Sequence, residues 1–175
     1  MSSTTLAAEG AQDLPAGLGI AVVFDWALAV QLLTQAIAGV GGHLGQSSSP
    51  RNVIGRLVAA AVAASLGEAL RRGIPAARIV QIGLTTLLSL SGLLGLLNLA
   101  TGHAVPRGRA LSLIVLCTFA PFVVWRLSLP RTGRWFQRTR GHGGAPRLSG
   151  APWVTGLFAW SAVWGVAVAW SQSLH

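Results

Sequence analysis

Between two long apolar runs, at 110–128 and 151–170, lies the segment Arg126 to Arg147, RLSLPRTGRWFQRTRGHGGAPR, with six of the chain's thirteen Arg and no acidic residue. Short Arg-rich segments beside spanning helices remain on the cytoplasmic side of a membrane. This stretch, read as a basic cytoplasmic loop over 126–150, therefore orients everything threaded before it. Composition agrees with a membrane chain: 52% of residues are hydrophobic, only 10% are charged, and the mean hydropathy is +0.60. That balance excludes an ordinary globular domain and predicts an all-α integral membrane protein, one bundle over 17–175.

The formal charge of +9 favours anionic partners in general. For a membrane chain that partner is the lipid headgroup. Every basic residue is Arg and none is Lys, which excludes lysine-dependent mechanisms and reads as the coding bias of a GC-rich genome, pointing to a bacterial cytoplasmic membrane. One cysteine, Cys117, permits neither an internal disulfide nor a cysteine metal cluster. The N-terminus carries Glu9 and Asp13 and no basic residue before the first apolar run, so no cleavable signal is expected. Residues 1–16 read as a mobile tail.

Spanning hydrocarbon takes roughly 20 apolar residues in a helix. Residues 17–40, 79–100, 110–128 and 151–170 fit that requirement, with Pro121 expected to kink the run 110–128 because it removes a backbone donor. Residues 53–70 are ambiguous. Arg56 and Glu68 each cost about 2.5–3.5 kcal/mol at the bilayer centre and less near its edges. If this stretch spans, there are five helices with nine Arg inside and four outside; if it lies on the surface, there are four spans with eleven inside and two outside. Charge counting favours four. The pairs Gly55/Ala59, Ala60/Ala64 and Ala63/Gly67 suit close helix packing within the membrane, and an interfacial helix needs bulkier apolar residues. Five is the preferred count. Ser49-Pro50 marks the start of this helix.

Candidate functional residues follow from polarity inside the spans. Asp25 is a functional hypothesis because ionisable side chains are costly there, and Arg126 is its expected partner on the cytoplasmic half. Gln31 and Gln35 lie within one arc of the same helix and suit either interhelical hydrogen bonds or a polar lining. His43, His103 and His175 reach one side in the five-span arrangement, but no metal-ligand spacing such as HExxH accompanies them, so no metal is assigned and the cofactor is unknown. Arg131, Arg134, Arg138, Arg140 and Arg147 are expected on anionic headgroups, at about 1 kcal/mol per Arg near the surface. The RWFQRTR core also has the aromatic and basic interleaving of single-strand nucleic-acid binders, a weaker reading beside a membrane.

The last run bears a tryptophan stripe, Trp153, Trp160 and Trp164, beside a small-residue ridge, Ser161, Gly165 and Ala169. Interface belting explains tryptophans at helix ends but not Trp160 and Trp164 at mid-depth. Small residues let helix backbones approach. Trp160, Ser161, Trp164, Gly165 and Ala169 are therefore expected to dock a partner helix, with Val168 off both faces. No Walker, nucleophile-elbow or paired-acid motif is present, so no catalytic residue is assigned. The leading functional expectation is a non-catalytic membrane subunit assembling into a larger complex. A small oligomeric channel or transporter with a polar path along the first helix competes with it, and an embedded enzyme or cofactor-binding subunit stands third.

Overall fold

The structure, a computed structural model, describes residues 17–41, 49–101, 107–139 and 151–173. Among these every regular element is helical: α1 (Leu18–Gly41), α2 (Pro50–Arg71), α3 (Pro75–Ala100), α4 (Arg107–Ser128), α5 (Pro130–Thr139) and α6 (Ala151–Ser173). The five apolar runs all lie in helices, and α2, α3, α4 and α6 are each longer than the run that signals it. By length and composition α1, α2 and α3 are able to cross a membrane, while the apolar parts of α4 and α6 are shorter, Leu116–Ser128 and Val154–Trp170. The N-terminal tail and the three histidines assigned to helix ends lie outside the described residues.

Local chemistry sets the boundaries. Gly17 turns the chain into α1 at φ +107, a conformation that L side chains avoid. Pro50 and Pro75 occupy first-turn positions of α2 and α3, where a missing N–H costs nothing. Ser49 precedes α2 as expected but caps it through its backbone, its carbonyl accepting from Asn52 and Val53 at 2.8 and 3.3 Å, with no side-chain bond. α2 ends in a Schellman arrangement: Gly73, at φ +74, donates to the Leu70 carbonyl at 2.9 Å and Ile74 donates to that of Ala69 at 3.0 Å.

Successive contacts along each pair show how the helices run. At one end of α1, Arg56 of α2 donates to the Gln35 carbonyl at 3.0 Å; near the other, Gly67 lies against Asp25 and Trp26. α2 therefore runs antiparallel along α1 rather than across its end. Ala60, Ala63 and Gly67 are buried, while Gly55, Ala59 and Ala64 are exposed. α3 and α4 are likewise antiparallel, Gly92 meeting Leu116 and Cys117, and Gly95 meeting Leu113. α6 runs parallel to α1, with Ser161 facing the Val23 carbonyl at 3.4 Å and Gly165 against Ala27, Val30 and Gln31. Two groups result, α1 with α2 and α6, and α3 with α4. Phe119 and Trp164 join them, their ring centroids 5.9 Å apart.

All six helices meet at the end where α1 begins. Leu18, Val22, Leu66, Leu70, Ala77, Val123, Leu127, Trp135, Phe136 and Leu157 form a buried cluster there. At the opposite end large apolar side chains such as Leu90, Leu94 and Leu97 are exposed. Water would penalise that arrangement by roughly 25 cal/mol per Å²; lipid would not.

The segment read as a loop from Arg126 onward contains a helix. Arg126 ends α4, and α5 follows after Leu129 because Thr132, Gly133, Trp135 and Phe136 recur at helical spacing on one buried face. α5 and α3 also satisfy carbonyls that the last turn of α4 leaves open. Thr132 Oγ1 donates to the Arg126 carbonyl at 2.9 Å, and Arg78 Nε donates to that of Leu127 at 2.7 Å. Arg78 reaches it by passing over Gly133, where an added Cβ would come within 3.0 Å of Nη1.

Candidate functional site

On α1 the buried positions Leu18, Ala21, Val22, Asp25 and Ala29 repeat every three or four residues, the spacing of one helix face. Asp25 therefore points into the bundle by register. With α1 starting at Leu18, it lies about 7 Å from the helix midpoint at 1.5 Å per residue, on the side of the shared core. On α3 Ala77, Gln81 and Thr85 form the corresponding buried stripe, one turn apart. The two stripes bring Asp25 and Gln81 together: Gln81 Nε2 donates to Asp25 Oδ1 at 2.5 Å. Gly67 of α2 closes the site from the side, since a Cβ there would come within 3.1 Å of the Asp25 Cβ and 2.8 Å of Trp26 Cδ1.

The expected partner of Asp25 was Arg126, and the structure replaces it with Gln81. Arg126 instead turns to aromatic faces, its guanidinium carbon 5.1 Å from the Phe122 ring centre and 4.9 Å from that of Trp125, a cation–π arrangement. Its aliphatic stem fills the space beside Gly17. Among the described residues, three buried polar atoms at this end have no hydrogen-bond partner: Asp25 Oδ2, Gln81 Oε1 and Arg126 Nε. Such orphans are rare among buried polar atoms in proteins. By contrast Thr85 donates to the Gln81 carbonyl at 2.7 Å, a local bond that needs no further partner.

The other polar residues named from sequence part company. Gln31 and Gln35 are half-buried, but the backbone at Gln31 meets α6 through Gly165 and the carbonyl of Gln35 is engaged by Arg56 of α2. Asp25 faces α3. The polar positions of α1 thus address three different neighbours, as suits a central helix. Glu68 accepts two bonds from Arg71 and one from Arg72, all at 2.7 Å, so neither it nor Arg56 is an isolated charge.

The small ridge of α6 is used inside the chain. Ser161 and Ala169 are buried, and a Cβ on Gly165 would stand 2.5 Å from the Ala27 carbonyl oxygen and 2.8 Å from the Val30 Cβ. The helix that meets Ser161 and Gly165 is therefore α1. Val168, expected off both faces, is buried too. Trp164 is half-buried on Phe119, whereas Trp160 is 62% exposed. On α5, Arg131 and Arg134 are exposed while Trp135 and Phe136 are buried edge to face, 5.0 Å apart. Rings so placed are closed to stacking bases. The side chain of Arg138, and all of Arg140 and Arg147, lie outside the described residues.

Sequence reading missed Gln81. A signal existed, because Ala77, Gln81 and Thr85 are the small or polar positions of a helix otherwise rich in leucine. Compared with known proteins, the chain matches no protein family, no curated protein and no solved structure.

Proposed function

We propose that this chain is a five-span, non-catalytic subunit of a larger complex in a bacterial cytoplasmic membrane, and that it docks its partner on the outward face of α6. The observation that carries the reading is the exposed row Gly156, Trp160, Val163 and Ala167, spaced four, three and four residues as in a helix–helix seam. Trp160 stands on this row at mid-helix, where interface belting provides no reason for it. Gly156 has no atom within 4 Å of a built Cβ, leaving room for a neighbouring backbone. The five-span count is supported by α2 lying antiparallel along the length of α1. It puts Arg131 and Arg134 at the cytoplasmic leaflet, on a helix held by Trp135 and Phe136, to meet anionic headgroups.

The test is purification of the full chain from its source in mild detergent, with mass spectrometry of what accompanies it. Gly156→Leu and Trp160→Ala change the outward row without touching the contact of α6 with α1. Both are expected to release the accompanying chains while the bundle stays folded. Unchanged particle mass and composition in both variants would mean that lipid alone covers this face, and the subunit reading fails.

A second reading, a small channel or transporter, has one observation of its own: the buried Asp25–Gln81 contact crosses between the two helix groups. Flux across liposomes containing only this purified chain supports that reading; silent liposomes count against it.

A further inference from the structure

We propose that Asp25 and Gln81 hold a proton between them, forming a carboxylic acid–carboxamide pair that ties α1 to α3 inside the membrane. The two side chains are 2% and 1% exposed. They touch through one contact, Gln81 Nε2 to Asp25 Oδ1, while Asp25 Oδ2 and Gln81 Oε1 are each buried with no hydrogen-bond partner among the described residues. An ionised carboxylate only accepts, and a carboxamide brings one acceptor oxygen. With Asp25 charged, both unpartnered oxygens are acceptors and neither residue has a donor to give them. One proton on Oδ2 changes this: the acid O–H donates to Gln81 Oε1 while the amide N–H donates to Oδ1, and both orphaned oxygens are satisfied together.

The contact distance points the same way. At 2.5 Å it lies within the O–H···O range and below the usual 2.7–3.2 Å of N–H···O bonds. A half-turn of the Gln81 amide exchanges its oxygen and nitrogen, and the contact then becomes an O–H···O bond requiring the same proton. The surrounding charged groups have other contacts, although Arg126 Nε is left without a hydrogen-bond partner. Arg126 stacks on Phe122 and Trp125, Arg78 donates to the Leu127 carbonyl, and Glu68 pairs with Arg71 and Arg72. None of them forms an ion pair with Asp25. A hard cation such as Ca²⁺ takes about six to eight oxygen ligands, and two orphaned oxygens make a poor start on that number. The proton is the occupant that fits.

The pair joins the α1, α2 and α6 group to the α3 and α4 group. Removing the proton leaves a carboxylate in an apolar surround, at a large desolvation cost, and breaks the second hydrogen bond of the bridge. Proton occupancy is thereby linked to how closely the two groups sit. This holds whether or not a partner occupies α6.

Infrared spectroscopy of the full chain in liposomes near neutral pH tests the proposal, because only four carboxylate side chains are present. A protonated-carboxyl C=O band is expected in the wild type, shifted by ¹³C-labelling of aspartate, lost in Asp25→Asn, displaced in Gln81→Leu and unchanged in Glu68→Gln. Asparagine has the shape of the neutral acid and can donate to Gln81 Oε1, so Asp25→Asn is expected to melt with the wild type. The labelled wild type needs no variant to fold. Absence of a label-sensitive band there, or its survival in a folded Asp25→Asn protein, overturns the proposal.

Discussion

Replacing Gly165 with alanine adds one methyl group at the point where α6 comes closest to α1. The new Cβ would stand 2.5 Å from the Ala27 carbonyl oxygen, 2.8 Å from the Val30 Cβ and 3.0 Å from the Gln31 nitrogen, where ordinary contact begins at 3.4 Å. Two of these are backbone atoms of a packed helix and cannot swing aside, so α6 must retreat by nearly an ångström. Ser161 and Ala169, buried one turn to either side, lose contact with it. Overpacking of this kind costs about 1–3 kcal/mol. Gly→Ala within a helix also contributes up to about 1 kcal/mol of favourable propensity, which blurs the effect of a single variant. Gly156→Ala supplies the control, because its Cβ meets nothing within 4 Å and the propensity term is common to both. The difference between the two variants therefore isolates the clash. At roughly 2–4 °C per kcal/mol for a chain of this size, Gly165→Ala is expected to melt about 2–12 °C below Gly156→Ala when tryptophan fluorescence is followed in detergent micelles. Coincident midpoints would show that α6 does not press on α1 at Gly165, and the hub assignment of α1 would fall.

Three further outcomes follow from the same packing. In a Cys117→Ser background, a cysteine at exposed Ser49 is expected to react with an impermeant label in intact cells and one at exposed Gln137 only after permeabilisation; protection of both before permeabilisation would restore the four-span arrangement. Phe136→Ala removes a fully buried ring from the shared core and is expected to destabilise by about 3–5 kcal/mol, read as a lowered denaturation midpoint. The double variant Arg131→Gln with Arg134→Gln is expected to keep the wild-type midpoint in neutral detergent. It should lose most of the stabilisation conferred by phosphatidylglycerol in mixed micelles, at about 1 kcal/mol per Arg.

Much of the architecture is legible in the residues alone. Each apolar run is helical, Pro50 and Pro75 stand in first turns, Gly73 closes α2, and Asp25 stands out as a costly ionisable group in an apolar run. Helical spacing around Thr132, Trp135 and Phe136 is also present in the sequence, although the Arg content of that stretch favours a loop reading. What lay beyond reach was the choice of neighbour. Periodicity says which residues share a face, and the ridge Ser161, Gly165 and Ala169 reads as a surface for close approach. It does not say whether α1 or a separate protein lies against it. In a water-soluble protein, hydropathy would help, because covered faces are apolar and open faces are polar. In a bilayer both are apolar, and helix association rests on fit and hydrogen bonds, so lipid-facing leucine and core leucine read alike. The same limit hid Gln81, which sits 56 residues from Asp25 in the chain. Only the parallel placement of α1 and α3 sets the two side chains at one depth, because a hydrogen bond between distant residues depends on how helices are arranged, and residue order does not record that.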